Sequence, residues 1–188
     1  RDGSVKQATA GGATPGHLSG KGGQGAERMV LVNARCDVNQ AERDGATPAD
    51  YADKKGQTAA LELLVKAGCD VNQAMSDGGT PTYIAAQLGH TAALELLVKA
   101  GCDVNQAASD GSTPTYIAAQ EGQTAALQIL FKAGCDVNQA TSDGRTPAFI
   151  AAYNGHTSAL NLLVTAGCDV NQATPDGRTP AFIDAHAS

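Results

Sequence analysis

Five cysteines, four histidines and a run of aspartates are the side chains of this 188-residue chain best suited to chemistry. A thiolate can act as a nucleophile, a metal ligand or half of a disulfide. The spacing argues against each role. Cys36, Cys69, Cys102, Cys135 and Cys168 stand at intervals of 33 residues, and no Cys-x-x-Cys pair occurs. One cysteine every 33 residues does not supply a four-ligand zinc set. Cysteines on neighbouring stacked helices, about 8–10 Å apart, lie beyond the ~7 Å Cα separation that a disulfide spans. Cysteine then serves as a small hydrophobe, and an odd number of unpaired thiols fits a reducing compartment, cytoplasmic or nuclear. His90 and His156 share a position with Gln57 and Gln123. A position that accepts glutamine is a hydrogen-bonding site at a turn and not a general base. His17 and His186 lie near the termini. Aspartates in Asp-Gly pairs form a ladder that suggests calcium, but Asp capping its own turn explains it, and calcium-binding β-solenoids use nine-residue repeats. Glycines between 11 and 25 match no phosphate-binding pattern between a strand and a helix. The sequence thus gives no catalytic residue, no metal site and no cofactor.

The elements that carry these residues repeat with the same period. Asp-Gly pairs fall at 44, 77, 110, 143 and 176, and Thr-Pro pairs at 47, 80, 113, 146 and 179. Residues 77–109 and 110–142 agree at 26 of 33 positions, so the array arose by duplication. A fixed period of this length marks a solenoid. In the second full unit, Asp77-Gly78 supplies a turn, and Thr80 followed by Pro81 starts a helix. That helix runs from Pro81 to about Leu88 and stops at Gly89. A second helix covers roughly Thr91 to Ala100, with Ala93, Leu94, Leu97 and Val98 on one face. Lys99 suits the negative end of its dipole and Gly101 stops it. Cys102-Asp103-Val104-Asn105-Gln106 leads out as a finger to the next turn. Helices this short are unstable alone in water, so each pair must bury its face on its neighbours. The expected fold is an all-α solenoid with β-turn or hairpin fingers.

Composition excludes several classes of function. The chain is 42% hydrophobic but only 4% aromatic, so its core is built from Ala, Leu and Val. A net charge of −6 and a pI near 5.0 argue against a nucleic-acid partner, which needs clustered Lys and Arg. No apolar run reaches the roughly 18–20 residues that span a bilayer, so no membrane insertion is expected. The N-terminus shows neither an initiator Met nor a signal-peptide layout.

The string Asp77-Gly78-x-Thr80-Pro81-x-x-x-Ala85-Ala86-x-x-Gly89-His90, followed by Leu96-Leu97 and Gly101-x-Asp103-Val104-Asn105, resembles the ankyrin repeat. The likeness covers four full units, 44–76, 77–109, 110–142 and 143–175, with a truncated unit at 176–188. A degenerate, Gly-rich unit and the tail of a preceding one fill 1–43. Three departures stand out. The family's usual Leu-His after Thr-Pro is replaced by Ala49-Asp50, Thr82-Tyr83, Thr115-Tyr116, Ala148-Phe149 and Ala181-Phe182, so aromatic packing is expected in place of the His network between loops. Gly16, Gly20, Gly22, Gly23 and Gly25 are expected to fray the first helix of the N-terminal unit, at about 1 kcal/mol per helical Gly. The last unit has no second helix, and both termini are expected to be cuts in a longer array, since solenoids need capped ends.

The resemblance implies a protein-interaction module, neither an enzyme nor an oligomer, whose finger tips and first helices form a concave face for a partner protein. Positions that vary within the fixed frame are the candidate contacts. At the fingers these are Met75, Ala108, Thr141 and Thr174, with Gly79, Ser112, Arg145 and Arg178. Ending the first helices they are Lys54-Lys55, Gln87-Leu88, Gln120-Glu121 and Tyr153-Asn154. Arg and Tyr are favoured where binding energy concentrates. The alternative is a recruiting segment of a larger signalling enzyme, channel or ubiquitin-ligase subunit with its functional domain elsewhere. The resemblance also implies possible asparaginyl hydroxylation at Asn72, Asn105, Asn138 and Asn171, against a plain structural role for Asn in the finger's turn.

Overall fold

A computed structural model describes residues 37–181. Among them are eight helices in four antiparallel pairs and no strand: α1 (Pro48–Lys54) with α2 (Thr58–Lys66), α3 (Pro81–Leu88) with α4 (Thr91–Lys99), α5 (Pro114–Gln120) with α6 (Thr124–Lys132), and α7 (Pro147–Tyr153) with α8 (Thr157–Thr165). A further helix begins at Pro180. The Gly-rich unit and His17 fall outside the described residues, as do Cys36, His186 and the end of the truncated unit.

Each first helix starts as its sequence dictates. Thr47, Thr80, Thr113 and Thr146 take extended backbone at the N-cap, and their side chains accept the N–H three residues on, with Pro at the first helical position. The second helices start without a side-chain cap. Their first turns depend instead on packing.

First helices pack on first helices and second on second along the whole series. Alanines make this possible: Ala85, Ala86, Ala118, Ala119 and Ala151 are fully buried between successive first helices. Leu61, Leu64, Leu94, Leu97, Leu127, Leu130 and Leu163 fill the second layer at 0% exposure. Val98, expected on the buried face, is only half-buried. Burial of these leucines is the main stabilising contribution, at about 25 cal/mol per Å².

The fingers are turns stitched to one another by backbone. The N–H groups of Ser76, Ser109 and Ser142 donate to Asp44, Asp77 and Asp110 carbonyls of the preceding finger at 2.9, 2.9 and 2.8 Å. This approach leaves no room for a side chain. Gly78 has φ +85°, and a Cβ there would come within 2.6 Å of the Ser109 nitrogen. At the base, Asn39, Asn72, Asn105 and Asn138 Oδ1 atoms accept from the N–H of Asp70, Asp103, Asp136 and Asp169, 31 residues on. No described helix is long and apolar enough to cross a membrane.

Candidate functional site

Cysteine is the most reactive residue type in the array. Cys69, Cys102, Cys135 and Cys168 are unpaired and half-buried. Burial pushes the Cys69 thiol up to about 11 and raises the other three. Thiols held protonated at neutral pH are poor nucleophiles and poor metal ligands, which supports the structural reading.

The His/Gln position links neighbouring repeats. Gln123 Nε2 donates to the Gln87 carbonyl at 3.1 Å, reaching back to the end of the preceding first helix. His156 sits over Gly122, where an added Cβ would fall 2.8 Å from Nδ1. His90 Nδ1 stands 3.8 Å from Asp53 Oδ1, and Asp53 is fully buried. Both Asp53 oxygens lack a hydrogen-bond partner. Burial, with repulsion from Asp50, pushes Asp53 up to about 8; the Ala85 backbone N–H offsets part of this without reaching hydrogen-bond geometry. Asp50, also at 0% exposure, is pushed up by burial to about 6. Its Oδ2 accepts from the Thr47 N–H and hydroxyl at 2.7 and 2.8 Å, closing a capping box.

The replaced Leu-His network has a successor of another kind. The Tyr83 hydroxyl lies 3.2 Å from Ser112 Oγ on the next finger, and Ser112 in turn donates to Asp110. Tyr116 lies near Arg145, whose charge offsets part of the rise that burial imposes on its hydroxyl. Phe149 lies in one pocket with Arg178. An aromatic residue in a first helix therefore meets the variable residue of the finger 29 positions on.

These contacts divide the candidate partner residues. Gly79, Ser112 and Thr141 are buried, and so is Thr174. Buried as they are, these four positions present little surface, unlike the exposed positions expected of partner contacts. Thr141 caps its own finger, accepting from the Arg145 N–H at 3.1 Å. Asn154 Nδ2 is spent on the Gln120 carbonyl at 2.9 Å, and Gln120 Nε2 on Glu121 at 3.1 Å. Arg145 and Arg178 are exposed, but each pairs with the aspartate two residues before it: Arg145 Nε with Asp143 at 3.1 Å, and Arg178 Nε with Asp176 at 2.7 Å. Arg178 holds the Asp176 carboxyl down to about 2. Met75, Gln87 and Ala108 are half-buried, Glu121 is exposed, and Leu88 and Tyr153 are 45% and 61% exposed. Tyr153 stacks on Phe149 at 6.3 Å with planes 9° apart.

Met75, Gly79, Gln87, Leu88, Ala108 and Ser112 meet around one groove of about 740 Å³ between α3 and the two fingers that flank it. Lys54, also a variable position singled out by the sequence, joins them, and sequence reasoning missed Asp77, Tyr83, Ile84 and Asp110. Asp77 and Asp110 read as turn caps, and they are: their Oδ1 atoms each accept the N–H two residues on at 2.9 Å. The available signal was the residue two positions after each Asp, which is Gly or Ser at these fingers and Arg at the next two.

A family profile for ankyrin repeats, in sets of three copies, matches residues 3–108, 68–141 and 116–186. A search of curated proteins finds no match.

Proposed function

The chain belongs to the ankyrin-repeat family, whose repeats are in general non-catalytic protein-interaction modules, and on that basis we propose that it binds a partner protein across the face formed by its finger tips and first helices. The observation that carries this reading is Leu88. It ends α3 with 45% of its surface exposed, and it borders a groove whose other apolar lining includes Met75, Tyr83 and Ile84. An exposed apolar side chain continuous with a groove marks an interaction site more strongly than one standing alone. Tyr153, at the end of α7 where the preceding repeats carry Lys54, Gln87 and Gln120, extends the same face with an aromatic anchor. A stiff scaffold keeps the entropy cost of docking low.

The partner is a protein, and the array acts as a monomer in a reducing compartment, consistent with four unpaired thiols. The same contact serves equally if this array is the recruiting arm of a larger signalling enzyme, channel or ligase subunit. For Asn72, Asn105 and Asn138 the inter-finger hydrogen bonds favour the structural role over hydroxylation; intact-mass measurement of the protein from its source cell decides between them.

Photo-crosslinking residues placed at Leu88 and Tyr153 should trap the same partner, whereas residues placed at Glu95 and Gln128, exposed on α4 and α6, should not. Leu88→Arg with Tyr153→Ala should abolish capture and leave helicity unchanged. Equal trapping from α4 and α6 would assign the interface to the other face.

A further inference from the structure

The fingers that flank the groove differ in charge from those that follow. Asp143 and Asp176 are neutralised by Arg145 and Arg178. Asp77 and Asp110 are exposed, and no cation among the described residues pairs with either, since Gly79 and Ser112 occupy the positions of those arginines. Both carboxylates line the groove. Together with Glu121 they surround the Tyr83 hydroxyl closely enough to raise it, after burial, by charge repulsion. Lys54, which also lines the groove, belongs to the preceding repeat and rests on Met75, its Nζ 3.4 Å from Sδ. The floor is apolar, with Ile84 buried and Leu88 open. An apolar floor under a rim that carries two unpaired aspartates against one lysine sets the chemistry of what fits.

Building on the interface reading above, we propose that this groove takes a linear segment of the partner in which a bulky apolar side chain is flanked by lysine or arginine. The apolar side chain seats on Met75, Ile84 and Leu88, and the flanking cations reach Asp77 and Asp110. Complementary charge at such a rim sets selectivity and association rate more than total affinity. One oxygen of each aspartate is committed to its turn, which leaves the other for the ligand. The pocket between the fingers at 143 and 176 is smaller, about 300 Å³, and its lining includes both arginines, so it does not offer the same chemistry.

The test uses the full 188-residue chain and three fluorescein-labelled nine-residue peptides. One carries central Leu with Arg on both sides, the second replaces Arg by Glu, and the third replaces Leu by Ala. The Arg-flanked Leu peptide should bind about tenfold more tightly than either other peptide, equivalent to roughly 1.4 kcal/mol. Its binding should weaken between low and high salt. Asp77→Asn with Asp110→Asn keeps an oxygen to cap each turn, so the fold is retained; the variant should lose the Arg-over-Glu preference. Equal or tighter binding of the Glu-flanked peptide, an unchanged preference in the double variant, or no binding of any peptide would each overturn the proposal. Loss of partner trapping at Leu88 would instead overturn the interface reading. Trapping that persists while the peptides fail confines the error to the ligand chemistry.

Discussion

Asp53 is the residue that least fits the repeat it sits in. The equivalent positions hold Ala86, Ala119 and Ala152, and the space between first helices accommodates a methyl group. A carboxyl group there is fully buried with neither oxygen hydrogen-bonded. Asp53→Ala should therefore stabilise the array by about 1–3 kcal/mol, the usual cost of an unsatisfied buried polar group. The pH dependence has a definite sign. The folded chain holds the Asp53 proton up to about 8, whereas the unfolded chain releases it near 4. The native state binds more protons across that window, so stability is greatest at its acid end and falls as pH rises through it. Asp50, raised to about 6, adds a smaller slope of the same sign, and Lys54, Asp44, Cys69 and His90 are charged or titratable groups near the pair. Thermal melts at pH 5 and pH 8.5 should show wild type losing stability and Asp53→Ala losing much less. A wild-type melting temperature that rises with pH would disprove the assignment.

At the scale of elements, the fingers hold together by backbone bonds that depend on one N–H per joint. Ser76, Ser109 and Ser142 supply it; Pro175, the next in the series, has none to give. Its ring packs toward Gly144 instead. The joint between the fingers at 143 and 176 therefore lacks the backbone bond that the three preceding joints have. Pro175→Ser should restore the bond, worth about 0.5–1.5 kcal/mol. Removing the proline also frees the unfolded chain, at about 0.4–1 kcal/mol. The two effects nearly cancel in the melting temperature, so local hydrogen exchange is the right measurement. Amides of the last two fingers should exchange more slowly in the variant. Unchanged exchange would mean that the joint is held by packing alone.

For the whole molecule, stability is close to a sum over neighbouring pairs. None of the eight helices exceeds nine residues, a length that is marginal in isolation, so the second helices survive by burying leucines against the next repeat and the first helices chiefly by burying alanines. Leu127 lies in α6, with helix pairs on both sides, and Leu163 lies in α8, the last full pair described. Leu→Ala at either should cost about 2–5 kcal/mol. The reach of the damage should differ. Leu127→Ala should lower hydrogen-exchange protection on both sides of α6, and Leu163→Ala chiefly in α7 and α8. Identical, array-wide losses would show that the stack unfolds as one cooperative unit.

The frame of the molecule was legible in its residues alone. The 33-residue period, the Thr-Pro helix starts, the Gly stops, the self-capping Asp turns and the buried leucine series follow from local chemistry and periodicity, which each repeat restates. What the variable positions do emerged only from the stacked repeats. Ser112 and Thr141 turned inward, Arg145 and Arg178 were spent on their own fingers' aspartates, and Asn154 was spent on a neighbouring helix end. Asp77 and Asp110 gained an apolar groove between them. Many of these outcomes depend on the rotation and spacing between repeats, which set contacts between residues 29–36 apart in the chain. No local propensity encodes that distance, so burial and the groove appear only once the repeats are stacked.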